Sequence, residues 1–164
     1  MKLLSPYLKA ILIAVVLTNF SFNSLLAKPK VLVFSKTAGF HHESIAVGVP
    51  AIIKLGHENN FDVDTTTNSA KFTSANLKQY AAVIFLSTTG DVLNDAQQKA
   101  FEQYIKSGGG FVGVHAATDT EYGWPWYGDL VGAYFKSHPK QQQATLDVVD
   151  RNFIATRHLP AQWK

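Results

Sequence analysis

Short apolar runs separated by amphipathic or polar stretches set the architecture of the chain. Val31 to Phe34 (VLVF) is uninterrupted, the pattern of a strand buried on both faces of a parallel sheet. AAVIFL at 81–86 and FVGV at 111–114 repeat that pattern, so both also read as buried strands. FDVDT at 61–65 alternates instead, as a strand nearer the sheet edge does. Between the runs, Ile45, Val49, Ile52 and Leu55 recur at helical spacing and predict a helix ending near Gly56. Pro50 falls inside that pattern and can kink the helix or delay its start.

Asn94 and Gln97 have the spacing of a reciprocal cap and open a helix through about Lys106. Ala100, Phe101, Tyr104 and Ile105 form its apolar face, and Gly108 to Gly110 supply the reversal into the next strand. Strands alternating with helices, without hairpin signals, predict an α/β fold with a parallel, doubly wound sheet. Its strands are expected at 31–35, 61–65, 81–86 and 110–115. QATLDVVD at 143–150 reads as a further strand, paired differently. RNFIATRHLPAQWK reads as loop with no closing helix or strand, as in a fragment of a longer protein.

The N-terminus changes how charge is read. A basic start, an apolar run over 10–22 too short for a comfortable membrane span, and the small Ala27 describe a secretory signal peptide. This predicts a leader over 1–27, a mature domain over 28–164 and export to the periplasm or beyond. Leu25 at the minus-three position leaves an uncleaved anchor as the alternative. Lys2 and Lys9 are the only charged residues of the leader; without them, 13 of the 15 basic residues face 12 acidic ones. A nearly neutral domain carries no electrostatic footprint for nucleic acid, and none of the mature pattern calls for a membrane. Self-association into a homo-oligomer stays open. The chain has no cysteine, which excludes a lipobox, disulfides and thiol catalysis.

Three segments carry histidines beside carboxylates or turns: GFHHES (His41, His42), GVHAATDTEY (His115, Asp119, Glu121) and KSHPK (His138). Loops after parallel strands emerge on one carboxyl edge, which brings His41, His42 and His115 toward one crevice. Imidazoles exchange protons near neutral pH and ligate metals, so such a group suits acid/base chemistry or a divalent ion such as zinc. The spacing is not that of a zincin helix, and a lone loop histidine is more often simply hydrogen-bonded. EYGWPWY then concentrates Tyr122, Trp124, Trp126 and Tyr127, flat faces that suit sugar rings or pack as core. SKTAGF and SGGGF match no phosphate-binding fingerprint.

VLVFSKTAGFHHESI, FLSTTGDVLN and, above all, GGGFVGVHAATDTEYGWPWYGDLVGAYFKSHP resemble the ThuA-like, trehalose-utilisation family over roughly residues 29 to 164. The resemblance implies a class I glutamine amidotransferase-like fold of the flavodoxin-like, three-layer kind. Amidotransferases of that superfamily carry a nucleophilic cysteine at the sharp turn after a central strand. The matching strand end here is GFVGVHAA, so His115 stands at or next to that position and thiolate glutaminase chemistry is excluded.

Together with the leader, the resemblance implies an exported domain of carbohydrate utilisation that binds or transforms a sugar or oxidised sugar. His115 would be the acid/base or ligand-binding group, with His41 and His42 as its partners. Asp119 and Glu121 would orient it or bind hydroxyls; Trp124, Trp126 and Tyr127 would face the sugar, with His138 alongside. A non-catalytic carbohydrate-binding module and a metal-dependent hydrolase are the alternatives. Two departures stand out: Phe153 and Ile154 replace a His-Pro pair common in the family, and the family continues past Lys164.

Overall fold

The computed structural model describes residues 27–163, so the predicted leader lies almost wholly outside the described residues. Four strands, β1 (Lys30–Phe34), β2 (Asp62–Thr66), β3 (Ala82–Leu86) and β4 (Gly110–Val114), form one parallel sheet in the order β2-β1-β3-β4. This is the flavodoxin-like strand order, in which the chain reverses its direction of travel between β1 and β3. The helices are α1 (Ile45–Asn59), α2 (Ser74–Leu77), α3 (Asp95–Lys106) and α4 (Pro125–Val131). Among the described residues no helix is long and apolar enough to cross a membrane.

Alternation along β3 shows why helices cover both faces. Phe85 stacks on Phe101 of α3 at 5.4 Å, while its neighbour Leu86 meets Gly48 of α1 on the opposite face. The α3 face is rich in aromatic contacts: Phe34, Phe72, Phe85, Phe101 and Phe111 meet with ring centroids 4.6–5.9 Å apart. Ala100, Phe101 and Tyr104 are buried as their spacing predicts, and the reciprocal cap of Asn94 with Gln97 is formed.

Gly56 does not end α1. It is buried where the helix crosses Phe61, and a Cβ there would lie 2.7 Å from the Phe61 carbonyl oxygen. The helix runs on to Asn59 with Pro50 inside it, and Asn60 closes it in the left-handed conformation (φ 59°). Gly108 (φ 98°) makes the reversal after α3, and Gly109 leaves room for the Tyr104 ring.

Two strand expectations need correction. β4 is not buried on both faces: among the described residues it is the outermost strand of the sheet, and Val112 stays 47% exposed. The strand expected over 143–150 shrinks to β5 (Leu146–Asp147), which pairs antiparallel with β6 (Gln162–Trp163) away from the main sheet. With so short a partner, Val149 is left 98% exposed. The terminal segment read as loop thus contains a strand.

The aromatic layer between β3 and α3 should dominate stability. Phe85→Ala is expected to lower the unfolding free energy by about 3–5 kcal/mol in urea melts, and Val112→Ala by less than about 1 kcal/mol. Equal losses would mean that the layer does not hold the fold.

Candidate functional site

β4 hands over at Val114 to His115, whose φ is 54°, and a 3-10 turn over His115–Thr118 follows at once. A side chain in the left-handed region costs about 1–3 kcal/mol and persists only where its surroundings over-determine it. Here they do. Ala116 and Ala117 are buried under the turn, and Ala117 O accepts the Tyr127 hydroxyl at 2.8 Å. Asp119 N bonds Ala116 O at 2.8 Å, while Thr120 Oγ1 lies 2.8 Å from Thr88 Oγ1 of the neighbouring loop. The outcome is a sharp strand-to-helix turn that presents the His115 ring at the sheet edge, the geometry of a nucleophile elbow.

A cavity of about 220 Å³ opens beside this turn, lined by His42, His115, His138, Asp119, Thr118 and Phe135 among others. His42 arrives on the loop after β1 and meets His115 edge to face, with ring centroids 4.5 Å apart at 90°. His138 comes from beyond α4, which Gly132 ends in the left-handed conformation (φ 85°). The returning chain is pinned where Phe135 N donates to Thr118 O at 2.9 Å, and the Phe135 ring lies 4.7 Å from His138.

Burial, followed by the neighbouring His115, holds the His42 imidazole below its ordinary value, and Asp119 opposes that shift. His42 is thereby biased toward the neutral ring that can accept a proton. The Tyr122 hydroxyl is 2.6 Å from Asp119 Oδ1 and 2.8 Å from the Phe135 carbonyl. Its single proton serves one acceptor at a time, and desolvation together with Asp119 pushes it up to about 12. The arrangement can therefore exchange a proton through imidazole and accept hydroxyl hydrogens at the carboxylate. Among the described residues no group of three His, Asp or Glu side chains is placed to hold a metal ion.

The sequence-predicted residues separate into two groups. His42, His115, Asp119 and His138 converge on the cavity, the last of these on a segment far from any strand end. His41 points away, exposed, with Nδ1 3.3 Å from Thr37 Oγ1. Glu121 cannot reach a ligand: it is 1% exposed, and its carboxylate accepts from Val92 N, Leu93 N and Gln98 Nε2 at 2.6–2.8 Å. Tyr127 is fully buried and its hydroxyl is spent on Ala117 O. Trp124 and Trp126 stack on each other at 5.0 Å and pack against the core on the α3 side, outside the imidazole cavity. The sequence reading missed Thr118 and Phe135; the signal for Phe135 was its place between the Gly132 helix stop and His138.

The fold is that of a class I glutamine amidotransferase-like domain, and the sharp turn after β4 carries His115 in a chain without cysteine. A family model described as ThuA, trehalose utilisation, matches residues 30–164, and the chain belongs to that family. The crystal structure of a protein described as ThuA-like, from Bacteroides uniformis ATCC 8492, is similar at 27% identity with a TM-score of 0.70. The match covers 87% of this chain and 60% of that one, so this chain spans less than two thirds of its solved relative. No curated protein matches the sequence.

Burial outweighs the three donors at Glu121 and raises its carboxyl above the ordinary 4.5. The folded state then binds that proton more tightly than the unfolded state does. The resulting stability is complete below 4.5 and is lost as pH rises through the raised value. Compared with the non-titrating Glu121→Gln, the wild type should lose relative stability between pH 4.5 and neutrality in urea melts. A difference that stays flat across that window would contradict the assignment.

Proposed function

We propose that this chain is an exported ThuA-family domain of carbohydrate utilisation that binds and transforms a sugar or oxidised sugar in the imidazole cavity. The observation that carries the reading is the convergence of His42, His115, His138 and Asp119 on one cavity, around a strand-to-helix turn held in a strained conformation. Strained residues of this kind cluster at functional sites. The cavity, at about 220 Å³, is smaller than the roughly 300–1,000 Å³ of sites for drug-sized ligands, which suits one sugar ring. Phe135 offers an apolar face, Asp119 accepts hydroxyl hydrogens, and the imidazoles donate and accept protons.

The chemistry proposed is general acid/base, with His115 and the neutral-biased His42 as the exchanging pair. A positioned group of this kind contributes about 10²–10⁴-fold to a rate. Without a cysteine the site has no thiolate to carry an acyl intermediate. Export is supported by the basic, apolar and small-residue pattern of residues 1–27.

His115→Gly is the informative variant because glycine adopts the left-handed turn without steric cost. In a thermal-shift panel of monosaccharides, keto-sugars and trehalose, the sugar that stabilises the wild type should bind this variant at least about tenfold more weakly, a loss of about 1.4 kcal/mol. His41→Ala should respond as wild type. An undiminished response of His115→Gly removes His115 from the site, and product analysis of the same samples separates a catalyst from a binding module.

A further inference from the structure

The loop after β3, STTGD, contributes no side chain to the cavity, yet it bonds to the loops on both sides of it. Thr89 is 1% exposed. Its carbonyl accepts from Ala38 N at 2.7 Å and from Gly39 N at 3.3 Å. Its hydroxyl donates to the Phe40 carbonyl at 2.8 Å and lies 3.3 Å from Gly39 N. Phe40 and His41 are followed directly by His42, and the Phe40 ring meets the His42 ring at 4.9 Å. On its other side, Gly90 N donates to Asp119 O at 2.8 Å, and Gly90 O accepts from Glu121 N at 3.2 Å.

Residues 89 and 90 therefore tie the loop that carries His42 to the loop that carries His115 and Asp119. The same bonds explain where the cavity is. In an open α/β sheet the ligand crevice opens where the strand order reverses, between β1 and β3. Here a parallel bridge between Thr37 and Thr89 closes that position with protein, and the cavity lies one strand over, at the end of β4. Gly90 takes part for a steric reason: at φ 69° a Cβ would lie 3.1 Å from Gly39 N.

We infer that Thr89 is a positioning residue, whose hydroxyl and carbonyl set the loop after β1 so that the His42 ring packs edge-on against His115. Exposed loops lose such a register readily, because few apolar contacts hold them. Phe40 is largely exposed, so its backbone bond to Thr89 does what packing cannot.

The test reads the ring, not a ligand. The inference rests on the imidazole cavity being the site, but a failure to bind sugar leaves it standing, whereas an unmoved His42 overturns it alone. In the full chain, the histidine C2 protons are followed by NMR through a pH titration. His115, Asp119 and His138 share the cavity with His42, and His41 acts on it only weakly from outside, so a displaced ring leaves both its burial and its imidazole neighbours. Thr89→Val, which removes the hydroxyl at nearly constant volume, should raise the His42 midpoint toward the ordinary 6.5 and weaken its contact with His115.

Thr89→Ser keeps the hydroxyl and should restore the wild-type titration. Thr73→Ala, which removes the side-chain cap of α2, should lower the unfolding temperature without moving His42. A wild-type His42 titration in Thr89→Val overturns the inference, as does an equal shift in Thr73→Ala. If Thr89→Val does not fold, amide exchange in the wild type decides. Ala38 and Gly39 should be protected together with Gly90, and freely exchanging amides at 38 and 39 overturn the proposal.

Discussion

Backbone pairing from β2 through β4 is parallel throughout, and this one constraint places the chemistry. Parallel strands cannot be joined by tight hairpins, so each must be followed by a crossover, and every crossover leaves from the same edge of the sheet. The polar loops after β1, β3 and β4 are gathered there by topology before any side-chain contact is made. Hydrogen bonds then do the finer work. The bridges Thr37 to Thr89 and Gly90 to Thr120 extend the parallel pairing past the strand ends and turn three loops into one surface.

Stability and function draw on different faces of the same elements. Beneath the edge, the aromatic layer around Phe85 and Phe101 fixes α3 to the sheet, and α3 in turn presents Gln98 to the buried Glu121. Glu121 is thereby a structural carboxylate two residues from the Asp119 that lines the cavity. Its left-handed backbone (φ 57°) and its bonds to Val92 and Leu93 lock the loop after β4 to the start of α3. The strained turn at His115 persists because that loop is held on both sides.

Much of this was legible in the sequence. Apolar runs located the four sheet strands to within a residue, and the reciprocal cap of Asn94 with Gln97 located α3. His42 and His115 were brought to one edge by topology alone. What the sequence concealed depended on packing. Glu121 and Asp119 are both acidic and two residues apart, and no local pattern says which one turns inward. Trp124, Trp126 and Tyr127 could cover a core or face a sugar; Tyr127 is fully buried, while the two indoles stack on each other, half-buried, on the α3 side. Gly56 looked like a helix stop but serves a close approach to Phe61, visible only once α1 lies on the sheet. His138 is remote from every strand end, and it reaches the cavity through the turn at Gly132 and the bond from Phe135 to Thr118.

The central proposal is that this ThuA-family domain binds sugar in the imidazole cavity, not on the aromatic cluster nearby. Chemical-shift mapping of side-chain resonances, with a stabilising monosaccharide added to the full chain, tests it most directly. The account predicts that the ring protons of His42, His115 and His138 shift together with one binding constant, while the indole N–H signals of Trp124 and Trp126 stay in place. Shifts confined to the two indoles, with the three imidazoles unmoved, would contradict it.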